Sequence, residues 1–297
     1  MTQDTIGFVG TGLMGEGMAR NILKAGYNLH VITHKNRAPV DRLVAEGAKE
    51  APSLETMAKT CNVIHICAPG SPQVEAIVAA LLPHLVQDSV IIDCSTSDPV
   101  STMTLNDTLE AQGCHMVDAP LGGTPVQAEA GELAVMLGAG ADVLERAKSI
   151  ISSWAGPIVH IGPPGSGHKM KLLNNMLAMG YAALYSEALA LSEKAGIPTA
   201  TFDSVISGSR MDCGFYQTFR GYAVEGNRES HKFTLTNALK DMTYLENLAN
   251  SVGLDNSMGN AIKRSLALAK ANGGAGPEDY VPHLVDFVAN RNGVTRS

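Results

Sequence analysis

Three stretches of the chain hold side chains that could carry a reaction. In Gly165-Ser166-Gly167-His168-Lys169-Met170-Lys171-Leu172-Leu173-Asn174-Asn175, the Lys171 amine and the Asn174 and Asn175 amides stand at i, i+3 and i+4, so a helix would put them on one face. Asp93-Cys94-Ser95-Thr96-Ser97-Asp98-Pro99 and Asp118-Ala119-Pro120-Leu121-Gly122-Gly123-Thr124 each begin where a short apolar run ends. If those runs are strands of a parallel sheet, both loops open at its carboxyl edge, where ligands bind in such folds. A lysine amine, with a reference pKa of about 10.4, is protonated at neutral pH. Lys171 is therefore suited to stabilise negative charge growing on a carbonyl oxygen and then to supply the proton, with Asn175 orienting both groups. The reverse reaction needs the neutral amine and is favoured at alkaline pH. Taken alone, the asparagines also fit a structural reading, in which they satisfy backbone groups of a linker.

A fourth stretch supplies a partner for that chemistry. Ile6-Gly7-Phe8-Val9 leads directly into Gly10-Thr11-Gly12-Leu13-Met14-Gly15, and an amphipathic segment with Met18, Ala19, Ile22 and Leu23 follows. Strand, GxGxxG and helix in that order form a dinucleotide-binding turn. Gly10 permits the tight turn, Gly12 lets backbone approach a pyrophosphate, and Gly15 allows close packing of helix on strand. The helix N-terminus, preceded by Leu13 and Met14, turns N–H groups and a positive dipole end toward the phosphates. At the end of the second strand an acid would accept from a ribose 2′-OH, whereas cations would hold a 2′-phosphate. Thr33-His34-Lys35-Asn36-Arg37 offers no acid before Asp41, so Thr33, His34 and Lys35 predict NADP in preference to NAD. A basic, solvated turn is the plainer reading of the same residues. Taken with Lys171, these features predict an oxidoreductase that reduces a carbonyl group to the alcohol.

The elements that must hold these groups follow from hydrophobic periodicity. Short apolar runs at Ile6 to Val9, Leu29 to Thr33, Val63 to Cys67, Val90 to Asp93, His115 to Asp118, Ala134 to Leu137 and Ile158 to Ile161 read as strands. Longer amphipathic stretches lie between them, among them Gly15 to Ala25, Arg37 to Glu46, Pro72 to Leu82 and Ala141 to Trp154. The alternation predicts an α/β Rossmann-type domain over residues 1–162, with a doubly wound parallel sheet. Gly162-Pro163-Pro164-Gly165-Ser166-Gly167 is the densest punctuation in the chain and marks the boundary. Residues 163–297 read as an all-α domain for substrate binding and oligomerisation. Its long interdomain helix, Lys169 to Ala195, is stopped by Gly196 and Pro198. Further helices are expected over Thr199 to Ile206, Thr236 to Val252, Asn256 to Ala271 and Tyr280 to Ala289. His168 reads as a solvated linker histidine, and His65, Cys67 and Cys94 as packing residues in strands. Met170, Met176 and Met179 read as core rather than recognition surface, and Arg210 and Phe215 carry no assignment.

Composition narrows the classes of function. With 45% hydrophobic and 17% charged residues, the 297-residue chain has apolar material for two cores. A net charge of −7 without a basic run argues against a nucleic-acid partner. Five cysteines, odd in number and never in a CxxC or Cys/His cluster, argue against a disulfide framework or a metal centre, and fit a reduced, cytoplasmic setting. The apolar run at Ile6 lacks a basic flank and becomes a glycine loop by Gly10, so a signal peptide is not expected. Leu172 to Leu191 is long enough to span a bilayer. Because it holds Asn174, Asn175, Ser186 and Glu187, it is read as a helix buried in protein, with no membrane partner. Its apolar surface exceeds what a small helical domain readily hides, so a homodimer or homotetramer is expected.

The order of these motifs resembles the β-hydroxyacid dehydrogenase family, which includes 3-hydroxyisobutyrate dehydrogenases, tartronate semialdehyde reductases and sulfolactaldehyde reductases. The likeness runs nearly end to end. It rests on the glycine loop with Met14 and Met18-Ala19, Asp93 to Pro99 with Ser95-Thr96, Asp118 to Gly131, the GxGxxxKxxNN run, and Lys240-Asp241. The resemblance implies that Lys171 is the catalytic lysine, Asn175 its helper, Thr96 a nicotinamide-side threonine and Lys240 a second-domain lysine near the cofactor. Ala68-Pro69 correspond to a loop beside the nicotinamide ribose. Many members carry Asp-x-Pro-Val-Ser-Gly-Gly, whose serine and following glycine hold the substrate carboxylate. Here Gly122, Gly123 and Thr124 stand in those places. The sulfolactaldehyde-type enzymes also have glycine and then threonine, with an arginine where Gly123 stands. The turn could still offer N–H groups and the Thr124 hydroxyl to an anion, with Asn174 as a further substrate contact. A small β-hydroxy acid and its semialdehyde, or a 2-oxo acid such as glyoxylate, are the implied substrates. Two rivals remain: an imine reductase-like enzyme, which usually lacks the lysine, and a non-catalytic NADP-binding scaffold or sensor, which would need only the glycine loop.

Overall fold

A computed structural model describes residues 4–295. The chain divides after Lys171 into two compact units. The first contains β1 (Thr5–Val9), α1 (Gly15–Lys24), β2 (Asn28–Ile32), α2 (Ala38–Ala45), β3 (Lys49–Glu50), α3 (Leu54–Thr60), β4 (Val63–Ile66), α4 (Ser71–Leu81), β5 (Val90–Asp93) and α5 (Pro99–Glu110). It continues through β6 (His115–Asp118), β7 (Leu121–Gly122), α6 (Pro125–Ala130), β8 (Leu133–Gly138), α7 (Leu144–Ile151) and β9 (Ala155–Gly162). Strands β3, β2, β1, β4, β5 and β6 lie side by side and parallel, a doubly wound sheet as the sequence predicts, with β3 added at its edge.

Burial explains why the strands are short apolar runs. β4 and β5 are buried at every position, as only strands covered on both faces are. Consecutive residues feed opposite faces. Val63, Ile92 and Val117 join Phe8, Ile22 and Trp154 in one core, while Ile64, Ile91 and Met116 join Val78 and Leu109 in the other. The far side of the sheet departs from the simple parallel pattern, because β8 runs antiparallel to β6 and β7. The stretch from Asp118 to Leu133 must hold β7 as well as the six-residue α6, which leaves no room for a helical crossover, so the chain turns back. β9 then pairs in parallel with β8 and is longer than the expected Ile158 to Ile161.

A single helix, α8 (Ser166–Lys194), crosses the division between the units and starts three residues before the expected Lys169. The second unit adds α9 (Thr199–Ile206), α10 (Gly214–Ala223), α11 (Leu235–Ser251), α12 (Ser257–Ala271) and α13 (Leu284–Arg291). Its core joins Leu172, Met179, Ala182 and Leu189 of α8 to Phe219, Met242, Leu266 and Leu284. Met176 packs against that core, whereas Met170 is exposed. Helix α10 was not foreseen: its aromatic residues and glycine ends disguise a helical face that buries Tyr216 and Phe219. α13 begins at Leu284 instead of Tyr280, behind a 3₁₀ turn containing Pro282. α8 is not buried all round, because Leu173, Leu177, Leu184 and Leu191 recur at helical spacing on an exposed face. Among the described residues, no helix is long and apolar enough to cross a membrane.

Candidate functional site

The glycine loop can be tested for fit to a dinucleotide by what a side chain would meet there. A Cβ at Gly10, whose φ is +104°, would lie 2.1 Å from the Cys67 carbonyl oxygen, and one at Gly15 would lie 2.0 Å from that of Gly10. The fold itself therefore demands both glycines. At Gly12 a Cβ would meet nothing within 4 Å. Its missing side chain keeps space open in front of α1, as a pyrophosphate approaching the backbone requires. Among the described residues no side chain caps α1, and Leu13 beside it is exposed, with Met14 half-buried. The acid in the first turn, Glu16, is held by Arg42 and Arg20, which also keep its carboxyl below the usual range. That pairing removes the repulsion a lone carboxylate would exert on a phosphate.

The β2 rim combines the predicted cations with an acid that the local sequence does not announce. His34 and Lys35 are exposed, but Arg37 is committed to Asp41 at 2.9 Å and to Glu50 at 2.8 Å. Glu50 arrives from β3 and accepts the Thr33 hydroxyl at 2.9 Å. Because β3 pairs with β2, an acid distant in sequence reaches the rim.

The other loops of the first unit are tied to each other. The Ala68 N–H donates to Ser95 Oγ at 2.9 Å, which fixes the Ala68-Pro69 loop to the loop carrying the half-buried Thr96. Asp93 accepts from the Ser95 N–H and the Ser97 hydroxyl, and the Asp98 N–H donates to Ser71 Oγ. Helix α6, which follows the Gly122-Gly123-Thr124 turn, is docked on α1: Asn21 Nδ2 donates to the Ala128 carbonyl, and a Cβ at Gly17 would lie 2.7 Å from the Ala128 backbone. Gly123 and Thr124 are exposed and Gly122 is half-buried. The Thr124 N–H is not available to an anion, since it donates to Gln127 Oε1 at 2.9 Å and so starts α6.

Lys171 is half-buried in the second turn of α8, and the helix start before it is anchored on the sheet. The Gly165 and His168 N–H groups donate to the two oxygens of Asp118, at 2.6 and 2.7 Å. Burial raises the Asp118 carboxyl above the ordinary aspartate range, against the opposing pull of His168 and the two N–H groups. The reading of His168 as a solvated linker is corrected here: the side chain is fully buried. The dense glycine run is part of the same contact, because a Cβ at Gly167 would lie 2.2 Å from the Met136 carbonyl oxygen. His65, Cys67 and Cys94 are packing residues as expected. Burial drives His65 down to about 3, Cys67 up to about 12 and Cys94 well above the ordinary thiol value, so neither thiol is a poised nucleophile.

In the second unit, the asparagine pair splits. Asn174 is exposed, while Asn175 is buried and donates to Asp241 Oδ2 at 2.7 Å. Asp241 is fully buried, and Lys240 Nζ lies 3.0 Å from its Oδ1 and 4.9 Å from the centroid of the Tyr244 ring. Asp241 thus anchors Asn175, a role visible in sequence only as the neighbour of Lys240. Arg210 is exposed after α9, and Phe215 packs on Tyr181 and His231.

Residues 5–162 match the family model described as the NAD binding domain of 6-phosphogluconate dehydrogenase. Residues 165–282 match that described as NAD-binding of NADP-dependent 3-hydroxyisobutyrate dehydrogenase. The chain is 31% identical over 278 residues to the 3-sulfolactaldehyde reductase of Escherichia coli strain K12, covering 93% of each chain. It is 32% identical over 222 residues to a Pseudomonas aeruginosa 3-hydroxyisobutyrate dehydrogenase, covering 73% of this chain and 74% of that one. The solved 3-hydroxyisobutyrate dehydrogenase of Mycobacterium tuberculosis with L-serine superposes with a TM-score of 0.84 over 95% of this chain and 99% of that one. At 24% identity, that likeness shows the fold.

Proposed function

The chain belongs to the β-hydroxyacid dehydrogenase family, and from that premise we propose that it interconverts a small β-hydroxy acid and its semialdehyde, with Lys171 as general acid and base and NADP(H) as the preferred cofactor. Members of the family are NAD(P)-dependent dehydrogenases of hydroxy acids, and this chain is an enzyme of that class. One observation carries the assignment of Lys171: the helix start that bears it is bonded to the end of β6, at the same sheet edge as the open glycine loop and the Thr96 loop.

A bound nicotinamide supplies or accepts the hydride. Gly10, Gly12, Leu13, Met14 and Gly15 would hold the pyrophosphate against α1, Ala68, Pro69 and Thr96 the nicotinamide side, and Thr33, His34 and Lys35 the adenosine ribose. During reduction the carbonyl oxygen gains negative charge, and the Lys171 ammonium stabilises it and gives up its proton. In oxidation the neutral amine removes the hydroxyl proton, so that direction gains with rising pH. Asn175, one helical turn on and fixed by Asp241, orients the reacting oxygen. Gly122, Gly123 and the Thr124 hydroxyl would receive the substrate's acid group, with Asn174 as a further contact; by the family resemblance, Lys240 would contact the cofactor. This turn has neither the serine of many relatives nor the arginine of the sulfolactaldehyde type.

The charge at the β2 rim bears on cofactor choice. His34 and Lys35 favour a 2′-phosphate, and the charge of Glu50 is balanced by Arg37. A carboxylate beside Thr33 favours the alternative, NAD, if Glu50 accepts from the ribose instead. A panel of short semialdehydes and 2-oxo acids assayed with NADPH and NADH tests both points. The expected result is turnover of at least one acid with a higher kcat/KM for NADPH. Cofactor binding without turnover of any acid would favour a scaffold, and a clear NADH preference would reverse the cofactor assignment. The exposed face of α8 at Leu173, Leu177, Leu184 and Leu191 supports a homodimer or homotetramer, and light scattering that gives the monomer mass would remove that part.

A further inference from the structure

The ring of His168 makes contacts that anchoring a helix start does not require. It lies three residues before Lys171, fully buried. Nε2 is 3.1 Å from the Ser95 carbonyl oxygen, and Nδ1 is 2.8 Å from Thr102 Oγ1 on α5. A carbonyl can only accept, so Nε2 is assigned the proton. Asp93 and Asp118, register neighbours at the ends of β5 and β6, flank the ring at 3.7 and 3.8 Å. Each carboxylate is already bonded to backbone or hydroxyl donors. The close approach of Asp118 to the helix start is built into the backbone, since a Cβ at Gly167 would lie 2.9 Å from Asp118 Oδ2.

An apolar side chain would fill this position without the cost of burying two ring nitrogens, each of which then needs a partner. What the imidazole adds is connection. The Ser95 carbonyl belongs to the loop that carries Thr96, and Ser95 Oγ in turn holds the Ala68 N–H. One ring therefore links the helix bearing Lys171 to both loops on the nicotinamide side and to α5.

We propose that His168 is a positioning residue, which fixes Lys171 relative to the Thr96 and Ala68-Pro69 loops by bonding the first turn of α8 to Ser95 and Thr102. The inference rests on Lys171 being the proton donor. Displacement of a reacting group by about 1 Å can cost on the order of 10²-fold in rate, so loss of this link should lower kcat far more than cofactor affinity.

The test is a double-mutant cycle of His168→Leu and Lys171→Ala, with His168→Gln as the conservative variant; kcat, cofactor Kd and Tm are read for each. His168→Leu should lower kcat at least about tenfold and leave cofactor Kd within about threefold. His168→Gln, whose amide can still donate toward Ser95, should recover most of that loss. The double variant should be no slower than Lys171→Ala alone, because His168 acts through the lysine. An unchanged kcat in His168→Leu overturns the proposal. So do losses that multiply in the double variant, or equal losses of kcat, affinity and Tm in the Leu and Gln variants. If His168→Leu does not fold, Thr102→Val removes the Nδ1 partner with little change of shape: a fall in kcat alone supports the link, and a parental kcat overturns it. If Lys171→Ala keeps its kcat, the catalytic assignment fails and the role of His168 with it. If only Lys171→Ala is slow, the positioning role alone is lost.

Discussion

The middle of the sheet and its carboxyl edge each bury a histidine completely, under opposite conditions. His65, on β4, stacks on Phe8 with ring centroids 5.7 Å apart and meets Trp154 edge-on at 6.1 Å, and neither of its ring nitrogens has a hydrogen-bond partner among the described residues. His168 has a partner at each ring nitrogen and at its backbone N–H. Burial alone therefore does not mark a site. In the middle of the sheet the imidazole acts as a flat apolar plate, held neutral by desolvation. At the edge, bonds from the end of β6, the loop after β5 and α5 converge on the start of one helix, one turn before Lys171.

Substitutions can break this contrast, and the largest effect is expected at the edge. Asp118→Ala leaves the Gly165 and His168 N–H groups without their acceptor, and each orphaned buried donor costs about 1–3 kcal/mol. Urea unfolding should show a loss of about 4 kcal/mol, and Asp118→Asn, which keeps one acceptor oxygen, a smaller one. A loss below about 1 kcal/mol in the alanine variant would mean that the edge network is not a structural unit.

The middle of the sheet should respond to acid. The folded-state pKa of His65 is lowered to about 3 by desolvation, whereas the unfolded chain binds a proton near the ordinary imidazole value of 6.5. The unfolded state therefore takes up more protons below that value, so stability is full at higher pH and falls as pH drops from 6.5 toward 3. Between pH 7 and pH 4 the expected loss is about 3 kcal/mol. His65→Leu should remove that slope, and an unchanged acid sensitivity would place it elsewhere.

The smallest effect belongs to the β2 rim, where the groups are exposed. Lys35→Ala should lower kcat/KM for NADPH about tenfold, the size of one charge-assisted phosphate contact, and leave NADH unchanged. Equal losses with both cofactors would show that the rim does not read the 2′-phosphate.

Much of this was legible in the residues, and the gaps have physical causes. The strand-loop-helix order around Gly10, Gly12 and Gly15 is local, so sequence carried it to the correct elements. β8 was found as a strand, but its direction depends on a connection too short for a crossover, which apolar runs do not report. Glu50 escaped notice because β3 brings it to Thr33 from a different strand. His168 was misread because it follows a glycine and proline run that resembles a linker. Gly167 in that run instead admits the close contact of α8 with Asp118 and Met136. Asn174 and Asn175 looked equivalent in spacing, and only the buried Asp241 separates them.

The most direct measurement is kcat for semialdehyde reduction by Lys171→Ala at neutral pH, with NADPH binding followed in parallel. If the amine delivers the proton, kcat falls at least about 10²-fold while NADPH affinity stays within about threefold. Turnover within about threefold of the parent enzyme would contradict the assignment of the lysine, whatever the fold and the relatives suggest.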